Sequence, residues 1–76
     1  MNEQELLIEL LRMHEANESL TSDFAIENYE GLKNLFDKGL SNYRVTKMMA
    51  GNVRARKERT GGILTPVGLE KAKAIS

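Results

Sequence analysis

The spacing of apolar residues changes twice along this chain, and that change restricts the fold more than any single motif. Up to residue 40 the large apolar side chains recur at helical intervals: Leu6, Leu7, Leu10 and Leu11, then Tyr29, Leu32, Leu35 and Phe36. From Ser41 the period becomes two. Tyr43, Val45, Lys47 and Met49 alternate with Arg44, Thr46 and Met48, and β-branched and aromatic residues become common. After Thr65 the helical spacing returns with Leu69, Ala72 and Ile75. A chain of 76 residues with this order reads as one α+β, mostly helical domain, residues 1–76.

Local start and stop signals place the elements. Asn2, with Glu5 three residues on, forms a capping box for a first helix that fades near Glu15, and Ile8 and Met13 widen its apolar stripe. Thr21 and Ser22 offer a hydroxyl cap to a short helix holding Phe24, Ala25 and Ile26. Asn28 reads as the cap of a third helix, from Tyr29 to Lys38, ended by Gly39 with Leu40 packing back. Gly51-Asn52 suits a two-residue hairpin turn, with Val53 to Lys57 as the return strand. Thr60-Gly61-Gly62 reads as a second bend, and Ile63-Leu64 as a short apolar strand. Thr65-Pro66 then opens a final helix, because threonine caps and proline suits the first helical position. The expected core is Leu6, Leu7, Leu10, Leu11, Phe24, Leu32, Leu35, Phe36, Ile63, Leu64 and Leu69.

The net charge of zero conceals two opposed halves. Residues 1–38 hold nine acids and three bases, or −6, whereas residues 39–76 hold eight bases and two acids, or +6. Arg54, Arg56, Lys57 and Arg59 place four bases in six residues. Such asymmetry suits a nucleic-acid or other acidic partner, and clustered bases bind phosphate by releasing counterions. Solvated charge that keeps a small protein dispersed is the plainer alternative.

Three helices in forty residues, two of them tightly joined, form a helix-turn-helix arrangement. The segment YEGLKNLFDKGL resembles a recognition helix ending in glycine-leucine before a wing. GGILTPVGLEKAKAI is similar to a wing strand closing on leucine-threonine, with Leu64, Thr65 and Gly68 matching the pattern. Together they resemble a winged helix-turn-helix domain (three helices, a β-hairpin wing and a C-terminal helix) of the small prophage type, such as the YjcQ-like group. The resemblance implies a DNA-binding transcriptional or phage-type regulator. Lys33 and Asn34 on the third helix would face double-stranded DNA, as would Arg54, Arg56, Lys57 and Arg59 on the wing and Arg44 and Lys47 on its partner strand. Glu30 and Asp37 share the helix face with Lys33, and carboxylates are repelled by phosphate, so backbone contact falls to the wing. A homodimer joined through the first helix, at Ile8 and Met13, would double the contacts. The competing expectation is a protein-binding module that works through its acidic helices. A second parsing makes LSNYRVTKMMAGN and VRARKERT two further helices, with the bases on the second.

Little else suggests chemistry. Without cysteine there is neither a disulfide nor a thiolate metal site, and His14 is the only histidine, so neither metal nor cofactor is expected. Glu15 with Glu18, and Glu27 with Glu30, lack any nucleophile–histidine partner, and the reading is of a protein that is not an enzyme. Met48-Met49 reads either as ordinary packing or as an adaptable contact surface. The acidic N-terminus carries no secretory signal, and no apolar run is long enough for a membrane span, which points to the cytoplasm.

Overall fold

A computed structural model describes residues 2–58 and 61–76. Four helices, α1 (Glu3–Glu15), α2 (Ser22–Glu27), α3 (Tyr29–Asp37) and α4 (Pro66–Ile75), surround one apolar core. Between α3 and α4 lies an antiparallel hairpin, β1 (Tyr43–Lys47) and β2 (Val53–Lys57). The chain is therefore α+β and mostly helical. No helix among the described residues is long and apolar enough to cross a membrane.

The caps explain where the helices begin. At α1 the Asn2 side chain accepts from the Glu5 N–H at 2.8 Å, and the Glu5 carboxylate accepts in return from the Asn2 N–H at 3.4 Å. Thr21 caps α2 by accepting from the Phe24 N–H. Asn28 departs from expectation: its side chain makes no cap bond to α3 and donates instead to the Phe24 carbonyl, tying down the end of α2. With one residue between α2 and α3, that side chain serves the helix behind it rather than the helix ahead.

Val45 and Val53 from the hairpin join Leu6, Leu7, Leu10, Leu11, Met13, Leu32, Leu35, Leu40, Ile63 and Leu64 in the core. Phe24 and Leu69 are half-buried against it rather than inside it, and Phe36 lines a surface groove. Met13 is only 5 % exposed, so of the two residues expected at a dimer seam only Ile8, 41 % exposed, is available on the surface. Helices α1 and α3 cross closely at Gly31, where a Cβ would come within 2.6 Å of Leu6 Cδ2.

Two further departures concern the hairpin. The segments expected as helices under the second parsing, residues 43–47 and 53–57, are paired strands, since alternating β-branched residues bury one face of a pleat. The connection is also longer than a two-residue turn. Strand pairing stops at Lys47–Val53, and Met48 to Asn52 bridge it through a 3₁₀ turn, Met49–Gly51, with Gly51 at φ 77°. Met48 N–H donates to the Asn52 carbonyl at 2.7 Å and closes this tip.

Hydrogen bonds from distant parts of the chain fix the hairpin base. Buried Asn42 donates its side-chain amide to the carbonyls of Gly62 (2.9 Å) and Leu64 (3.2 Å), and its own N–H to Ile63. The expected Ile63-Leu64 strand is reduced to a single bridge, Leu64 with Ser41. The Leu64 N–H donates to His14 Nδ1 at 3.3 Å, so the lone histidine fastens this corner to α1. Thr65 completes the closure. Its hydroxyl donates to the Gly39 carbonyl at 2.7 Å and accepts from the Gly68 N–H, while its backbone N–H donates to Leu40.

Candidate functional site

The period of two that makes the hairpin also sorts its basic side chains. Arg44 on β1, and Arg54 and Arg56 on β2, share the outward face with Thr46 and line one shallow cleft. Val45, Val53 and Ala55 take the other face, toward the helices. Lys47 and Lys57 have the parity of that inner face and emerge into solvent at opposite ends of the stem. The basic residues expected on the hairpin therefore do not form one surface: three arginines stand together, and two lysines stand behind. Arg59 lies outside the described residues.

Strand register brings the arginines close. Arg44 is the direct partner of Arg56, and Thr46 is the direct partner of Arg54. Directly opposed side chains in an antiparallel pair have Cβ atoms only ~4.5–5.5 Å apart, and like charges there oppose folding. No ion pair relieves them among the described residues, although Glu58 lies at the edge of the same cleft. The pairs that do form are elsewhere, Arg12 with Glu9 and Glu18, and Lys38 with Glu3. There, hydrogen bonds from Lys38 and Arg12 hold the Glu3 and Glu9 carboxyls below their ordinary range, and Glu9 raises Arg12. The outward hairpin face thus holds three arginines that make no ion pair among the described residues, with one carboxylate, Glu58, at its edge.

Between α3 and β1 runs a groove of about 330 Å³. Tyr29, Phe36 and Val45 supply its apolar lining, and exposed Lys33, Asp37 and Arg44 its polar edge. Lys33 and Arg44 therefore line the same groove. Asn34 is exposed on the same helix but lines no groove with them. Lys47 is drawn elsewhere, its ammonium 5.0 Å from the centre of the Tyr29 ring, within cation–π range. Glu30 lines a second groove with Lys47 and Tyr29.

The bases expected at the site are exposed wherever they fall among the described residues, but proximity in sequence does not group them as the strands do. Strand parity was the signal that separates Arg54 and Arg56 from Lys57, and Arg44 from Lys47. Phe36 lines the groove rather than the core, a distinction the helical stripe does not carry because it does not reveal which of its members lies at the edge. Among the described residues no group of three His, Asp or Glu side chains is placed to hold a metal ion. Compared with models of known protein families, with curated proteins and with solved structures, the chain matches none.

Proposed function

We propose that this chain is a winged-helix protein that binds double-stranded DNA as a small transcriptional or phage-type regulator, with the β1–β2 hairpin as its wing. The observation that carries the reading is the outward trio Arg44, Arg54 and Arg56, with Arg44 and Arg56 directly opposed and no ion pair among the described residues. Such a surface costs folding energy, and a polyanion offsets that cost on binding. Lys33, at the edge of the groove beside Arg44, extends the same surface onto α3, the helix in the recognition position. The acidic α1 turns the positive face toward DNA by giving the molecule a charge dipole. Two copies joined through α1, where Ile8 is exposed, would present two such faces.

A second reading rests on Glu30 and Asp37, exposed carboxylates on α3 that make no ion pair among the described residues. They favour a basic protein partner over phosphate at that helix.

A salt titration of binding to a random-sequence duplex separates the two. Wild type should bind at low salt with log K falling steeply against log salt, and Arg44→Ala/Arg54→Ala/Arg56→Ala should flatten that slope by roughly 3 units, about 0.9 per phosphate contact. Lys47→Ala/Lys57→Ala should change it less. No salt-dependent binding by the wild type would exclude the DNA reading and leave the acidic helices as the working surface.

A further inference from the structure

The hairpin tip carries the most exposed large apolar side chain among the described residues. Met49 is 91 % exposed and its neighbour Met48 47 %, whereas Met13 is buried. The 3₁₀ turn, Gly51 at positive φ and the Met48–Asn52 hydrogen bond place both methionines beyond the last strand pair. Met48 also lines the end of the cleft that contains Arg44, Arg54 and Arg56, so this methionine joins the cationic face of the stem to the tip, where Met49 follows it in the chain. From Tyr43 to Lys57 the sequence contains no carboxylate, and the one that lines this cleft, Glu58, stands at the base of the stem, away from the tip.

We propose that Met49, backed by Met48, is an apolar wedge that enters between adjacent base pairs of duplex DNA while the arginine face holds the flanking phosphates. This rests on the duplex-binding reading above. Methionine is among the side chains that unstack base steps in this way, and its flexible, polarizable thioether adapts to an irregular slot. Successive outward rungs, Thr46–Arg54 and then Arg44–Arg56, step back from the tip by two residues, or ~6.8 Å, each, so a tip directed into a groove brings the arginines of the stem alongside its phosphate walls. A flat anionic membrane met tip-first would leave the Arg44–Arg56 rung ~13 Å behind Met48, whereas a groove wall runs alongside the stem.

The wedge is read by base unstacking and bending, not by affinity, because the cost of unstacking offsets the gain from burying the side chains. Duplexes carrying 2-aminopurine beside a TA step, which unstacks readily, report the first, and end-to-end energy transfer reports the second. Wild type should raise the 2-aminopurine fluorescence and shorten the end-to-end distance. Met48→Ala/Met49→Ala should lose both responses while keeping the wild-type salt slope, and Met49→Leu should restore them. Circular dichroism confirms that each variant is folded, and such exposed positions place no demand on the core. Salt-dependent duplex binding without unstacking, or an undiminished response from the double alanine variant, overturns the wedge and leaves DNA binding intact. Absence of duplex binding by the wild type overturns both. Binding to phosphatidylserine vesicles that exceeds duplex binding, and is lost in the double variant, overturns the wedge in favour of a membrane surface.

Discussion

Replacing Gly68 by alanine sets helix propensity against packing at the junction of α4 with the Gly39–Leu40 turn. On propensity alone the change stabilises a helix by about 1 kcal/mol. The structure opposes it. A Cβ at this position would fall 2.9 Å from the Leu40 carbonyl carbon and 3.1 Å from its Cα, with the carbonyl oxygen nearer still. Unstrained carbon contacts begin near ~3.5 Å, so α4 or the turn must retreat by roughly 1 Å, and the obstacle is backbone, which cannot swing aside. Overpacking of this kind costs about 1–3 kcal/mol. Retreat also stretches the three Thr65 bonds, to the Gly39 carbonyl, from the Gly68 N–H and to the Leu40 carbonyl, and losing one adds about 1 kcal/mol. Subtracting the propensity gain leaves a net destabilisation of about 2 kcal/mol, or a melting temperature lower by roughly 10 °C for a domain of this size. Urea unfolding followed by far-ultraviolet circular dichroism measures it, with Glu70→Ala, exposed on the same helix, as a control expected within about 0.5 kcal/mol of wild type. A Gly68→Ala variant as stable as wild type, or more so, would refute the argument that α4 is locked against this turn.

The opposed arginines predict a trade between stability and binding. Arg44→Ala/Arg56→Ala should raise stability by up to about 1 kcal/mol in urea while weakening duplex binding, and a loss of stability would make these side chains structural instead. Asn42→Ala removes both side-chain bonds to the Gly62 and Leu64 carbonyls and should cost about 2 kcal/mol, measured the same way; a cost below about 0.5 kcal/mol would show that Asn42 does not hold the hairpin base. For pH, Glu3 and Glu9 are both lowered from an ordinary 4.5, so the stability they add is present above that value and lost as pH falls through their folded-state values. Since these pairs are solvent-exposed, each should contribute only roughly 0.3 kcal/mol, and Lys38→Ala should remove the Glu3 share of the acid-side decline. An acid decline of unchanged size in Lys38→Ala, from urea midpoints across acidic pH, would place its origin elsewhere.

What the sequence revealed and what it withheld divide along the range of the interactions involved. The Asn2–Glu5 box, the Thr21 cap, Gly39 at φ 76° and Thr65 before Pro66 act within a few residues, and each stands where local chemistry put it. The helical period located Leu6, Leu7, Leu10, Leu11, Leu32 and Leu35 in the core for the same reason. Asn42, His14, Gly31 and Gly68 act across 20 or more residues, and nothing adjacent to them announces the partner. Asn28 misled because two helices compete for one side chain, and the choice between them depends on the geometry of the joint. At the candidate site, the cluster of bases was plain, but its division into an arginine face and two rearward lysines needed the register, which follows from where the hairpin turns. That turn is three residues longer than the glycine-asparagine pair suggested.

The Lys47–Val53 rung and the Met48–Asn52 bond separate the tip from everything that packs on the helices. Below that point, residues such as Val45 and Val53 are answerable to the core; beyond it, no buried side chain of the described set remains. A chain excursion closed off in this way can lengthen at a cost of only about 0.6 kcal/mol for each doubling of its length. The tip is therefore an exchangeable cassette. Its reach and chemistry can diversify under selection, or be rewritten by graft, while the helical body below it keeps its fold.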